Sequence, residues 1–127
     1  MFYIDDLWQP DKPLPSKPVL QAIAIRCAEA WQCPQLLENL HIGYNGRLKT
    51  TAGLAYLETG RVQLNTRLLS SNPDQLIPTL IHELAHIAVH RRFGPSAKPH
   101  GREFLTLMRA VNLSPKATHT MKMNNDH

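Results

Sequence analysis

His82 and His86 stand four residues apart with Glu83 directly after the first, in the stretch TLIHELAHIAVH from Thr79 to His90. On an α-helix, residues four apart lie ~40° apart in azimuth and one turn along the axis. Both imidazoles then project to one side and can hold one ion at ~2.0–2.1 Å. Glu83 falls on the flank of that face. A carboxylate so placed can take a proton from a water at the metal and hand it to a leaving amine. The flanks of the motif are apolar and read as helix (Leu80, Ile81, Leu84, Ile87, Val89). The pattern predicts a zinc site with Glu83 as its general base.

The third ligand is less obvious. His90 continues the spacing, but it lies ~12 Å along the helix and ~80° round from His82. One tetrahedral ion cannot take all three histidines from a straight helix. An extended, glycine-bearing form of the motif would need Gly at 89 and His at 92, where this chain has Val89 and Arg92. His90 therefore reads as a group that supports a ligand, a surface group or a cation at the helix C-terminus. Beyond the following loop, His100 and Glu103 in PHGREF are the better candidates. Spacing leaves both open. Three protein ligands and a water make a catalytic site, whereas four make a closed structural one.

These residues need elements to position them. Pro10, Pro13 and Pro15 make residues 1–17 an extended lead-in, tacked down by Phe2 and Trp8. A helix is expected from Pro18 to Pro34, with Ser16 as N-cap and Val19, Ile23, Cys27 and Ala30 on one stripe. LHIGY (40–44) followed by NG reads as a strand and a turn. AGLAYL (52–57) and RVQLN (61–65) read as a hairpin. Leu54, Leu57, Val62 and Leu64 offer its apolar positions, and Arg61, Gln63 and Asn65 the opposite face. Asn72 and Pro73 resemble a helix start. Pro78 predicts a kink or restart, with the main helix over 78–90, closed by Gly94 and Pro95. A third helix is expected over 101–112, with Phe104, Leu107, Met108 and Val111 on one face, stopped by Ser114-Pro115. Residues 116–127 read as a disordered tail.

The chain's 127 residues form one domain's worth of sequence, 1–127, with 43% hydrophobic and 19% charged residues. No apolar run approaches the ~18 residues of a membrane span. The N-terminus, with Asp5 and Asp6 and no apolar stretch, does not read as a signal peptide, so a cytoplasmic location is expected. Cys27 and Cys33 lack the C-x2-C spacing of zinc ribbons and read as reduced thiols. Net charge is +4, placed unevenly: residues 91–127 carry 7 Lys/Arg against 2 Asp/Glu. Arg91, Arg92, Lys98, Arg102, Arg109, Lys116 and Lys122 make up this basic third. Arg91, Arg92, Lys98 and Arg102 are candidate DNA contacts; a solvated surface explains the charge equally simply.

Three features taken together carry a family resemblance: AGLAYL…GRVQLNTRLL, then TLIHELAH, then HGREF, spanning Ala52 to Phe104. In these the chain resembles the SprT-like family of zinc metalloproteases, in a minimal form without the zinc ribbon that many members carry. The resemblance implies one catalytic zinc bound by His82, His86 and His100, with Glu83 as general base. It favours His100 over Glu103. It further implies that Gly101 lets the backbone turn near the metal and that Phe104 packs the next helix down. The expected fold is α+β: a zincin-like core, a small antiparallel or mixed sheet of about three strands, and about three helices with the HExxH helix central.

The activity expected is hydrolysis of peptide bonds in protein substrates, DNA-associated or DNA-crosslinked proteins among them, by a monomer without membrane contact. One hairpin strand, 52–57 or 61–65, would offer a sheet edge to an extended substrate. Tyr44 and Tyr56 are candidates to stabilise an oxyanion, with core or surface roles the simpler account. The competing readings are a non-proteolytic zinc module that binds DNA and a zinc hydrolase acting on another amide.

Overall fold

The computed structural model describes residues 2–113. Four α-helices and three strands are present among them: α1 (Lys17–Ala30), β1 (His41–Tyr44), β2 (Gly53–Tyr56), β3 (Arg61–Leu64), α2 (Thr66–Ser71), α3 (Leu76–Phe93) and α4 (Arg102–Ala110). Short 3-10 turns at Pro34–Leu37 and Pro73–Gln75 join α1 to β1 and α2 to α3.

The sheet order is β1-β3-β2. β3 pairs antiparallel with β2 across the hairpin and parallel with β1. Registers align Ile42 with Val62 and Val62 with Ala55, then Tyr44 with Leu64 and Leu64 with Gly53. Strand side chains alternate between faces, so these two rows share the inward face. Gly53 therefore falls in the inward set, and β2 lies directly against α3. The fold is thus α+β with a mixed three-stranded sheet, as expected, but with one helix more than expected.

The extra helix, α2, follows directly on the strand read as ending at Asn65, in a stretch to which the sequence assigns no element. Asn65 is fully buried and faces no solvent. Its Oδ1 accepts from the Leu68 amide at 3.1 Å as an N-cap, and its Nδ2 donates to Leu48 O and Thr51 O. One side chain thus ends β3, starts α2 and ties the 45–52 loop, each bond replacing one to water. Leu54 and Leu57 also depart from the expected apolar face: Leu54 pairs with Gln63 on the opposite row, and Leu57 is exposed beyond the end of β2.

α3 begins at Leu76 and runs through Pro78 without a restart. Pro78 is in the first turn, where backbone amides have no acceptor within the helix, so its missing N–H costs nothing there. The helix ends at Phe93, with Gly94 at φ 86° and its amide on His90 O at 2.9 Å. Ten α3 residues are buried, His82 among them. They pack against the sheet, α1, α4 and both 3-10 turns. Burial on several sides explains why the motif's flanks are apolar on more than one face.

α1 buries Leu20, Ile23, Ala24, Cys27 and Ala28, whereas Val19 is half-buried and Ala30 exposed, so its core stripe is rotated from the expected one. Ser16 sits at the N-cap without a side-chain bond. Both cysteines are buried and free, and burial pushes the Cys27 thiol well above its ordinary range. The lead-in is docked through buried Ile4 and Trp8, the Trp8 indole donating to Pro13 O at 2.7 Å. Arg26 clamps it by a two-pronged pair with Asp6 and a bond to Tyr3 O. α4 buries Phe104, Leu107 and Met108, followed by Val111, the predicted face. Lys116, Lys122, Ser114-Pro115 and the 116–127 tail lie outside the described residues.

Candidate metal centre

His82 and His86 reach the same side of α3, with their Nε2 atoms 3.2 Å apart. The loop after α3 returns His100 to them. Its ring centroid is 5.3 Å from that of His82 and 4.7 Å from that of His86. One ring nitrogen from each of the three lies within 4.8 Å of the others. Two nitrogens held at ~2.0–2.1 Å by a tetrahedral ion would be about 3.3 Å apart, close to the His82–His86 spacing. The three histidines are positioned to bind one metal ion.

Phe104, from the first turns of α4, touches all three rings. It stacks on His86 at 4.7 Å and meets His82 and His100 edge-on at 5.0 and 4.9 Å. The ring fills the apolar side of the centre and fixes imidazole orientation by packing. Glu103, the rival to His100, is one residue away but outside the group of converging ligand atoms. Gly101 has φ −86°, so it is not needed for a left-handed turn. A Cβ there would instead approach Lys98 Cβ to 3.1 Å, a tight fit in the bend that delivers His100.

Burial sets the protonation of the centre. His86 is pushed down to about 4, first by desolvation and then by the charge of His100. A neutral imidazole keeps the lone pair that ligation requires. Glu83 is pushed up to about 7 by burial alone. A carboxyl near neutrality is poised both to accept and to return a proton.

β2 closes over that carboxyl. A Cβ built on Gly53 would lie 2.8 Å from Thr79 Cγ2, 3.1 Å from Glu83 Cγ and 3.3 Å from Glu83 Oε2. Thr79, one turn before Glu83, is buried, and its hydroxyl has no hydrogen-bond partner among the described residues. Sequence reading overlooked both Gly53 and Thr79. The visible signal was a glycine in the inward-facing row of a strand, which marks a close approach of backbone.

The remaining predicted residues lie elsewhere. His90 pairs with Glu58 at 3.2 Å. It thereby joins the end of α3 to the β2–β3 turn. Arg91 Nη1 donates to Gln35 O, Leu36 O and Glu38 O, and Arg92 Nη1 to Trp31 O at 3.0 Å. Both thus cap carbonyls of the α1–β1 connection. Lys98 and Arg102 are exposed on either side of His100. Tyr44 donates to Pro15 O at 2.6 Å, and burial pushes its hydroxyl up to about 12. Tyr56 is exposed at the far end of β2 with Arg61 over its ring.

A model of the SprT-like family matches residues 21–124. Protein SprT of Proteus mirabilis is 43% identical over 84 residues, covering 65% of this chain and 49% of the relative. Protein SprT of Vibrio atlanticus is 39% identical over 74 residues, covering 57% and 44%. Protein SprT of Pseudomonas aeruginosa is 37% identical over 71 residues, covering 54% and 43%. The chain spans less than half the length of these curated relatives. No helix among the described residues is long and apolar enough to cross a membrane.

Proposed function

The chain belongs to the SprT-like family, and from that premise we propose that it is a zinc-dependent peptidase with a zincin-like core. His82, His86 and His100 hold the metal and Glu83 is the general base. The observation that carries this reading is the convergence of three histidines within 4.8 Å, with the desolvated Glu83 carboxyl on the same helix.

Three imidazoles, with no fourth donor converging on them among the described residues, suit a catalytic zinc, which supplies a Lewis acid that activates water and polarises a carbonyl. Glu83 takes the proton of the attacking water and returns it to the departing amide nitrogen. The packed Phe104 keeps the three ligands aligned and covers the apolar side of the centre.

An extended substrate adds to β2. β3 is interior to the sheet and paired on both sides, so the alternative strand, 61–65, is not available. β2 is an edge, and its Gly53 end lies at Glu83. Main-chain pairing there gives affinity with little side-chain preference, which suits cleavage of varied proteins, DNA-associated ones among them. Contact with a polyanion falls to exposed Lys98 and Arg102, because Arg91 and Arg92 already satisfy backbone carbonyls.

Glu83→Gln decides the matter. The zinc-loaded variant keeps its metal and loses roughly 10²–10⁴-fold in cleavage of an unfolded protein. Equal cleavage by the two proteins, or none by the wild type with zinc and DNA present, would sink the reading.

A further inference from the structure

Gly53 is not explained by its backbone angles, since it is absent from the positive-φ glycines. It is explained by what it touches. β2 brings its Cα over α3 where Thr79 and Glu83 lie a turn apart, and a single added carbon would overlap Thr79 Cγ2 at 2.8 Å and crowd Glu83 at 3.1 Å. Thr79 contributes its methyl to this contact, and its hydroxyl bonds to nothing described. That side chain therefore acts there through packing. The carboxyl of Glu83 is confined between the β2 backbone on one side and the helix on the other.

We infer that the Gly53–Thr79 contact positions Glu83: it fixes the distance between the proton-transferring carboxyl and the strand that receives the substrate. The inference rests on the peptidase reading above and adds two positioning residues to it. Gly53 sets the height of the β2 backbone over α3. Thr79 Cγ2 is the spacer that stops the strand from settling further and leaves Glu83 Oε2 its room. An error of about 1 Å in such a distance is enough to cost ~10²-fold in rate. The strand's outer edge, where the substrate pairs, is not altered by a change on its inner face.

The test moves one methyl group from one side of the contact to the other. Gly53→Ala adds a carbon, Thr79→Ser removes Cγ2 and keeps the hydroxyl, and the double variant does both. All are measured as the full chain, zinc-loaded, on dye-labelled casein, with metal content determined in parallel. Gly53→Ala is expected to keep one metal per chain and to lose roughly 10–100-fold in kcat, with KM little changed. Thr79→Ser loses a few-fold in kcat. The double variant recovers most of what Gly53→Ala lost, since the added Cβ occupies the space Cγ2 left. Melting of the chelator-treated proteins gives a readout independent of activity: Gly53→Ala melts lower, and the double variant regains part of the loss.

If the wild type cleaves casein and Gly53→Ala keeps its kcat, this inference fails and the peptidase reading stands. A metal-replete Gly53→Ala that the second substitution does not rescue also overturns it. If Gly53→Ala does not fold, an unchanged kcat in Thr79→Ser overturns it. If the wild type cleaves nothing, the peptidase reading falls and takes the inference with it.

Discussion

His82, Glu83 and His86 ride on an 18-residue helix buried against sheet and helices, whereas His100 is exposed on the loop between Gly94 and Gly101. The described backbone bonds within that loop are local, Ala97 to Gly94 O and Gly101 to Lys98 O. The helix half of the centre is thus built by the fold, with its two nitrogens already 3.2 Å apart. The loop half is held by Phe104 against His100, by Ala97 packed on the core, and by any metal that joins the two. On the proposed reading, preorganisation is concentrated where Glu83 would transfer the proton, and adaptability where His100 would supply the third ligand.

The largest test of that contrast removes a ligand from each half. His86→Ala should weaken zinc binding well beyond the roughly 10–100-fold that follows loss of a supporting hydrogen bond. His100→Ala should weaken it less, because the preformed pair survives. A His100→Ala protein that binds zinc no better than His86→Ala would break the contrast. Chelation comes next. Removing metal should speed amide exchange across 94–101 by about tenfold or more and leave the middle of α3 unchanged. Equal acceleration in both segments would mean that the helix also depends on the metal.

The smallest effect is in pH dependence. The folded pKa of Glu83 is raised from 4.5 to about 7, so its contribution to stability is complete below 4.5 and lost as pH rises through 7. His86 is lowered from 6.5 to about 4, so its contribution is present above 6.5 and lost as pH falls toward 4. In metal-free protein the two oppose each other between 4.5 and 6.5. Glu83→Gln removes one of them. Its melting temperature should fall by a few degrees more than the wild type's as pH drops through that window. Parallel curves would show that burial does not govern these groups.

What could be read from the sequence follows the range of the forces involved. The HExxH pair, the hairpin and the α4 stripe are set by period and by neighbours within a few residues, and they appear where expected. Asn65 was misread because its three bonds go to Leu48, Thr51 and Leu68, which no alternation pattern records. Arg91 and Arg92 looked like surface charge because their acceptors lie more than 50 residues away. Pro78 looked like a break because its harm depends on where the helix begins, and α3 begins two residues earlier, at the buried Leu76. His100 was legible only through the family likeness, since spacing alone left Glu103 equal to it.

Phe104 gives the centre a place in time as well as in space. Its ring lies against all three histidines, and α4 is locked to α1 by the Trp31 indole on Leu107 O, across 76 residues. A refolding chain cannot close the third ligand until α4 has docked and that long loop has been closed. The rise in metal affinity from that of the His82–His86 pair to that of the full centre then reports the docking of α4, and an indicator dye would read it directly.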